Sequence, residues 1–273
     1  MPNPFRGLCV HCSANGFLLI IVLAASVLLH GCTSTPLQPE KPISAEKAIE
    51  ILGKLKAREE RILHLKGLFH VSITGSILPI SRSMPGVVFY TRPDSIRLKG
   101  LTPVGGTFFQ FVRDGEDYEL LMPGNGQSAA GKIHELRRVG DIGQVVELSL
   151  HALDAVLGKI QGLTPVFARL FEEQDVFRID IPTVPGQHAG TNSVSLTRLR
   201  VDKVRSDIMQ IEYLGRDGEV LRSIDCQDFR AVSTQSLSPD VTPIYLPFHI
   251  HAEDDQLSGS VTLDFQELVI NSA

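Results

Sequence analysis

The chain has 273 residues, of which 43% are hydrophobic and 21% are charged, and its formal net charge is −5. This weakly acidic balance gives no reason to expect a nucleic-acid partner, because such a partner needs a strongly basic face. The hydrophobic content is sufficient for a sizeable core, and the length suits one large β-rich domain or two small ones.

An export signal is the first element that the sequence predicts, over residues 1–31. An uncharged run extends from Phe17 to Leu29, and the only charged side chain before it is Arg6. A basic start, a short apolar core and a small-residue exit are typical of such a signal, whereas a membrane span needs about 20 apolar residues. The stretch Leu28-Leu29-His30-Gly31-Cys32 resembles the bacterial lipobox, in which the chain is cut before the cysteine and its thiol carries a diacylglycerol. We therefore expect a lipid on Cys32; an ordinary signal peptide or an uncleaved anchor is the alternative.

A proline-containing tether is predicted next, over residues 32–43. It holds Pro36, Pro39 and Pro42 but no hydrophobic period, so we expect an extended chain. The residue after the lipidated cysteine is a threonine, whereas an aspartate there is the inner-membrane retention signal familiar from enteric bacteria. These features predict a protein of the bacterial cell envelope, anchored in the inner leaflet of the outer membrane and facing the periplasm.

The remaining residues, 44–273, are predicted to form one domain that begins with a helix. Ser44 can cap the first turn of this helix. Its apolar stripe follows three- and four-residue spacing and consists of Ile49, Leu52, Leu55, Ile62 and Leu63. Two further helices are predicted, over residues 143–158 and 165–172.

Alternating apolar and polar residues predict about ten or eleven antiparallel strands. The segments are 69–74, 87–91, 95–99, 107–112, 118–122, 176–181, 194–201, 208–214, 220–226, 245–252 and 260–270. The pairs Asp114-Gly115 and Asp217-Gly218 predict tight hairpin turns. A sheet of that size curls. The predicted fold class is therefore α+β: a single large curved antiparallel sheet, an incomplete β-barrel, covered by about three helices.

This order of elements behind a lipobox resembles the LolA/LolB superfamily. The nearest local likeness is to LolB, in the strand, turn and strand of Ser95 to Thr107, which reads SIRLKGLTPVGGT. The resemblance implies an incomplete β-barrel with helices as a lid, and carriage of lipoproteins or lipids across the periplasm. In LolB-like proteins an exposed aliphatic residue of this turn enters the membrane during handover. Val104 matches it best, with Leu101 as second choice, and Pro103 lies in the same turn.

An acyl-chain carrier needs a deep apolar cavity. Each buried methylene contributes about 0.8 kcal/mol, so extracting one 16-carbon chain from a bilayer costs on the order of 12 kcal/mol. Strand alternation predicts that the cavity is lined by Phe69, Val71, Ile73, Ile96, Leu98, Phe109, Phe111, Leu120, Met122, Met209, Ile211, Leu246, Phe248 and Ile250. A closely packed core has the same alternation, so both interpretations stay open.

The other candidate site is a pair of histidines. His249 and His251 lie two apart on a predicted strand, with Glu253 two further on, so the three share one face and are weak candidates for zinc ligands. The alternative is a solvated strand surface, and we expect no cofactor. The sequence contains none of the common nucleophile, phosphate-loop or dinucleotide motifs, so we expect no catalysis.

The expected partners are the acyl chains of lipids or lipoproteins and the membrane that holds Cys32. A periplasmic carrier or an envelope assembly protein is a further candidate. The function predicted from the sequence is non-catalytic binding of lipid or lipoprotein acyl chains, in lipoprotein sorting or lipid transfer. The alternative is a structural or assembly lipoprotein that binds another protein by its sheet edge or surface.

Overall fold

The computed structural model describes residues 41–75, 82–124, 126–183, 194–234 and 243–272. The predicted export signal, Cys32 and residues 33–40 of the tether lie outside the described residues. Chain contacts group Glu40–Ala273 into one compact unit. Among the described residues, no helix combines the length and the apolarity that crossing a membrane requires.

The described chain contains fourteen strands, two α-helices and one 3₁₀ helix. The helices are α1 (Ala45–Glu60), the 3₁₀ helix (Ile133–Val139) and α2 (Asp141–Leu157). The strands are β1 (Lys41–Pro42), β2 (His64–Gly75), β3 (Arg82–Thr91), β4 (Ser95–Leu101), β5 (Thr107–Asp114), β6 (Asp117–Met122), β7 (Gln127–Lys132), β8 (Arg169–Glu172), β9 (Val176–Pro182), β10 (Leu196–Asp202), β11 (Ile208–Leu214), β12 (Val220–Thr234), β13 (Ile244–Asp254) and β14 (Gly259–Ile270).

All fourteen strands belong to one sheet, which confirms the predicted fold class. The order is β1-β8-β9-β10-β11-β12-β13-β14-β2-β3-β4-β5-β6-β7, and the sheet is not closed. The pairings are antiparallel, apart from a short parallel contact between the end of β12 and β14. The two halves of the chain therefore join where β14 pairs with β2 along Leu65–Gly75.

One face of this sheet carries the core. In β2 the alternate residues Leu65, Phe69, Val71 and Ile73 are buried, because side chains of a strand point to opposite faces in turn. Both helices lie on that face, and α2 contacts β12, β13 and β14. The protein has its apolar interior between the sheet and the helices. Cys226, the remaining cysteine of the predicted mature chain, is buried there, and burial raises the pKa of its thiol to about 12.

The first helix begins where the sequence predicts, but its buried stripe is different. Ser44 caps it by accepting a hydrogen bond from the Lys47 amide at 3.4 Å. Its buried apolar residues are Ile51, Leu52 and Leu55. The predicted members Ile49 and Leu63 are 58% and 50% exposed, because Ile51 occupies the buried side and the helix ends at Glu60, before the last two predicted positions.

The helix predicted over 165–172 is wrong. The chain turns at Thr164, whose carbonyl accepts hydrogen bonds from the Phe167 and Ala168 amides, and residues 169–172 then form β8. This strand covers the edge of β9 and pairs on its other side with β1. Four residues are too few for periodicity to separate a strand from a helical turn. The long-range pairing decides the conformation.

Candidate functional site

The fourteen residues predicted to line an apolar cavity all lie in described strands. Twelve of them are buried in the core, while Met122 and Met209 are half-buried. Met209 is the extra residue of a β-bulge, since Arg200 pairs with Gln210 and Val201 pairs with Ile208. The bulge puts Ile208 into the core in place of Met209.

The aromatic members of this set fill space over glycines of the neighbouring strands. A Cβ atom built on Gly86 would lie 2.6 Å from Phe69 Cζ, and one built on Gly100 would lie 2.4 Å from Phe109 Cε1. Phe69 also contacts Phe265 edge to face, with ring centroids 5.6 Å apart. In the structure these rings therefore pack against other protein atoms.

Helix α2 covers the apolar face of the sheet. Seven of its valine and leucine side chains are buried: Val145, Val146, Leu148, Leu150, Leu153, Val156 and Leu157. The helix is bounded by Gly140 and Gly158, which have φ values of 82° and 73°. Glycine adopts these positive φ values at little cost, so each end of α2 is a defined break in the chain direction.

A cavity of about 280 Å³ lies between α2 and strands of the sheet, and Leu150 is among the residues that line it. Glu147, His151 and Asp154 follow one another by four and three residues on the cavity side of the helix. Tyr213 and Arg222 of the C-terminal strands also line the cavity. The lining of the cavity therefore contains apolar, polar and charged side chains, and none of the fourteen predicted residues contributes to it.

An ionic cluster across this cavity joins α2 to the sheet; we call Arg137, Glu147, Arg222 and Asp254 the α2 latch. Arg222 donates to Asp254 Oδ2 from Nε at 3.0 Å and from Nη2 at 2.7 Å. Arg137 donates to the same oxygen at 2.8 Å and also to Glu147. Arg222 and Asp254 are buried. Two guanidinium groups and two carboxylates balance, so the latch can be buried without a net charge.

The environment of the latch shifts the pKa of two neighbouring groups on α2. Burial, followed by the charge of Arg222, lowers the pKa of His151 to about 4, so its imidazole is neutral at pH 7. Burial acts to raise the pKa of Glu147, but the contacts with His151, Arg137 and Arg222 outweigh it, and the pKa lies below its ordinary value. Glu147 is thus ionised and available to the latch arginines.

Asp154, one turn further along α2, is not part of the latch. Its Oδ1 atom is buried and has no hydrogen-bond partner among the described residues. Burial raises the pKa of Asp154 to about 6, against the opposing charges of Lys159 and Arg113. Lys159 donates instead to Asp94 and to the Pro93 carbonyl, the latter at 2.7 Å. A carboxylate in this position costs the folded state free energy when it ionises.

The turn predicted to enter membranes is the loop between β4 and β5. Its backbone closes by hydrogen bonds from the Thr102 amide to the Gly106 carbonyl at 2.7 Å and from the Gly105 amide to the Thr102 carbonyl at 2.9 Å. Val104 stands at the tip and is 94% exposed, next to the exposed Pro103, whereas Leu101 is half-buried. The most exposed aliphatic side chain of this loop is therefore Val104.

The two candidate zinc ligands lie on the outer face of β13. His249 Nδ1 lies 2.6 Å from Asp264 Oδ1, and His251 Nε2 lies 2.9 Å from Glu253 Oε1. His251 Nδ1 also lies 2.9 Å from Thr262 Oγ1. Each imidazole thus has its own partners, and in the described part of the chain no three histidine, cysteine or carboxylate groups are arranged to hold a metal ion.

Comparison with known proteins gives similarity at the level of structure. No family model matches the sequence, and no curated protein sequence matches it significantly. A solved domain described as an outer-membrane lipoprotein-sorting protein, from Vibrio parahaemolyticus, is 13% identical, with a TM-score of 0.53 over 84% of this chain and 94% of that one. A LolA superfamily protein from Nitrosomonas europaea is 11% identical, with a TM-score of 0.50 over 85% and 95%. The chain has a LolA/LolB-like fold.

A third solved structure supports the same architecture. A DUF1329 family protein from Desulfovibrio piger is 7% identical, with a TM-score of 0.56 over 84% of this chain and 94% of that one. At such identities the likeness concerns the backbone arrangement alone. The LolA/LolB-like fold therefore accounts for the long sheet with α1 and α2 on one face, while the side chains of the cavity have to be judged on their own geometry.

The α2 latch and Asp154 were not predicted from the sequence. One local signal was present: Glu147, His151 and Asp154 recur at spacings of four and three along a mostly apolar helix. That spacing indicates a polar stripe on one side of α2. It does not indicate the partners, since Arg137 and Asp254 are 117 residues apart in the chain.

Proposed function

We propose that the protein is a bacterial envelope lipoprotein that binds the acyl chain of a lipid or lipoprotein on the apolar face of its sheet, without catalysis. The observation that carries this proposal is the amphipathic cover formed by α2. The valine and leucine side chains of the helix are buried in the core, and Glu147 joins the helix to the charge-balanced latch. An acyl chain takes the place of the α2 side chains when the helix moves away.

The free energies of this exchange are of similar size. Burying the seven valine and leucine side chains of α2 contributes roughly 10–20 kcal/mol, at about 1.5–3 kcal/mol each. A 16-carbon chain contributes about 12 kcal/mol by the same measure. For an acyl chain that comes from water, displacement of α2 by one chain is therefore close to balanced.

The membrane-facing part of the proposal rests on Cys32 and on the β4–β5 loop. Two or three acyl chains on Cys32 keep the protein at the membrane surface, since one chain binds reversibly and two anchor stably. The exposed Val104 then enters lipid during handover. The protein acts as a fixed receiver or donor, placed by us at the inner leaflet of the outer membrane.

Fatty-acid displacement of a fluorescent apolar dye tests the acyl-chain site. The soluble protein of residues 33–273 is expected to bind the dye saturably. Palmitate should compete on the order of 200-fold better than laurate, because four methylenes contribute about 0.8 kcal/mol each. The proposal is contradicted if dye binding is not saturable, or if competition does not depend on the length of the fatty-acid chain.

A latch variant tests the movement of α2 in the same experiment. Glu147→Gln removes one latch carboxylate and is expected to raise the rate of dye binding severalfold. Asp141→Asn, an exposed change at the first residue of the same helix, is the matched control and should leave that rate unchanged. An unchanged rate in Glu147→Gln would mean that α2 is a fixed part of the core.

The alternative function is binding of another protein by strand addition. The edge strand β7 favours it, because among the described residues this strand pairs with β6 alone and most of its side chains are exposed. A peptide could extend the sheet there through backbone hydrogen bonds. A protein that fails to bind the dye but captures an envelope partner, and loses it after proline substitution at Ala130, would support this second function.

A further inference from the structure

The outer face of β2, β3 and β4, opposite the core, has a one-sided charge. These three strands contain no aspartate or glutamate. Lys66 and Arg97 point outwards and are exposed, and Lys99 is half-buried on the same face. None of the three makes an ion pair with a carboxylate in the described chain. We call Lys66, Arg97 and Lys99 the basic face.

The strand register brings these cations together. Lys66 pairs with Phe89, and Phe89 pairs with Arg97, so the three lie in one row across the sheet. Lys99 pairs with Val87 in the next row. Residues in the same row of neighbouring strands are about 5 Å apart. The basic face is therefore a compact group and not three scattered surface charges.

Apolar groups accompany the cations. Phe89 is 41% exposed, and Lys66 Nζ lies 5.9 Å from the centre of its ring. At about 3.3 Å per residue, Lys99 and Arg97 lie roughly 7 and 13 Å along β4 from Leu101, where the loop that carries Val104 begins. Exposed aromatic and aliphatic groups beside long basic side chains are typical of surfaces that lie at a lipid–water interface.

We infer that the basic face docks the protein onto an anionic lipid surface, with the β4–β5 loop directed into the head-group layer. The occupant follows from charge complementarity and from the apolar loop tip at the end of the same strand. A soluble anion would account for the cations but would leave Phe89 and Val104 without a contact. The biological role of this docking rests on the proposed function: docking brings the apolar face of the sheet to the membrane that supplies or receives the acyl chain.

Vesicle sedimentation tests the inference with the soluble protein of residues 33–273, which lacks the lipid anchor and spans the compact unit. Phosphatidylcholine vesicles are compared with and without phosphatidylglycerol. We expect preferential binding to the anionic vesicles that weakens as salt is added. Each cation near such a surface contributes about 1 kcal/mol, or fivefold, so the variant K66Q/R97Q/K99Q should bind on the order of 100-fold more weakly.

The matched control is K54Q/K56Q/R138Q, which removes three exposed cations elsewhere on the molecule. It should bind the anionic vesicles nearly as the parent protein does. Equal losses in the two triple variants would overturn the inference, and so would equal binding to both kinds of vesicle. Complete absence of vesicle binding would also overturn it, and would leave an acidic protein as the partner that fits these cations.

The dye assay separates this result from the proposed function. If the protein binds palmitate but shows no preference for anionic vesicles, the proposal of acyl-chain binding stands and the docking inference is wrong. If the protein prefers anionic vesicles, loses that preference in K66Q/R97Q/K99Q and never binds the dye, the docking inference stands. Acyl-chain binding is then contradicted.

Discussion

Asp154 is a residue on the cavity side of α2 whose protonation is altered by folding. Its pKa rises from an ordinary value of 3.8 to about 6 because the carboxyl is buried. The folded state thus holds this proton more tightly than the unfolded state. The stabilisation that this tighter proton binding contributes to the folded state is fully present below pH 3.8 and is lost as the pH rises through about 6. Asp154→Asn removes the charge and should stabilise the protein at pH 7.5 by on the order of 2 kcal/mol, but hardly at pH 3.8.

Urea midpoints at the two pH values measure this effect. Asp255→Asn, which changes an exposed carboxylate, is the control and should move neither midpoint. Equal midpoints for Asp154→Asn and the parent protein at pH 7.5 would contradict the buried-charge interpretation. At this scale the sequence contains the polar stripe of Glu147, His151 and Asp154 on α2, but nothing in it indicates that Asp254 is buried. The buried position of Asp254 depends on Arg137 and Arg222, and contacts between distant segments leave no trace in local spacing.

The β4–β5 loop is the element for which the expectation from sequence resemblance agrees best with the structure. The turn 102–106 and the exposed Val104 could be predicted, because the strands on both sides alternate and a turn with proline and two glycines joins them. Elements without alternation could not be predicted. Strand β7 reads QSAAGK and is defined only by its pairing with β6, while β8 is defined by β9. Edge strands of this kind have few buried side chains, so hydrophobic period does not mark them.

Val104→Glu should impair delivery of acyl chains to membranes without affecting folding. The side chain is 94% exposed, so the substitution breaks no packing, but an added carboxylate resists entry into lipid. We expect transfer of a fluorescent fatty acid from the soluble protein to vesicles to slow about tenfold. Val204→Glu is the matched control, because Val204 is 90% exposed on the loop between β10 and β11. Equal slowing by both substitutions would show that added negative charge, and not the β4–β5 loop, sets the rate.

On the scale of the whole molecule, the sheet joins the two ends of the domain. Strand β14 pairs with β2, so the first long strand and the last lie side by side near the middle of the sheet. The sequence predicts most strands and the antiparallel class, since hairpins and alternation are local properties. It does not predict which distant strands meet, because many apolar strand faces are interchangeable. The same limit applies to the interior: alternation selects inward residues, but only the packing of α2 shows what they touch.

The lipid predicted on Cys32 is the proposed membrane anchor of the domain. An acyl chain of about 16 carbons on this cysteine would contribute on the order of 12 kcal/mol to holding the protein in the bilayer. Cys32→Ala should therefore move the protein from the membrane fraction to the soluble periplasmic fraction of the cell. Cys226→Ala is the control, since this cysteine is buried in the core and should stay unmodified, leaving the protein in the membrane fraction. If Cys32→Ala stays with the membrane through an uncut segment Phe17 to Leu29, the mass of the parent protein decides: a parent chain that still carries residues 1–31 contradicts the predicted cleavage before Cys32.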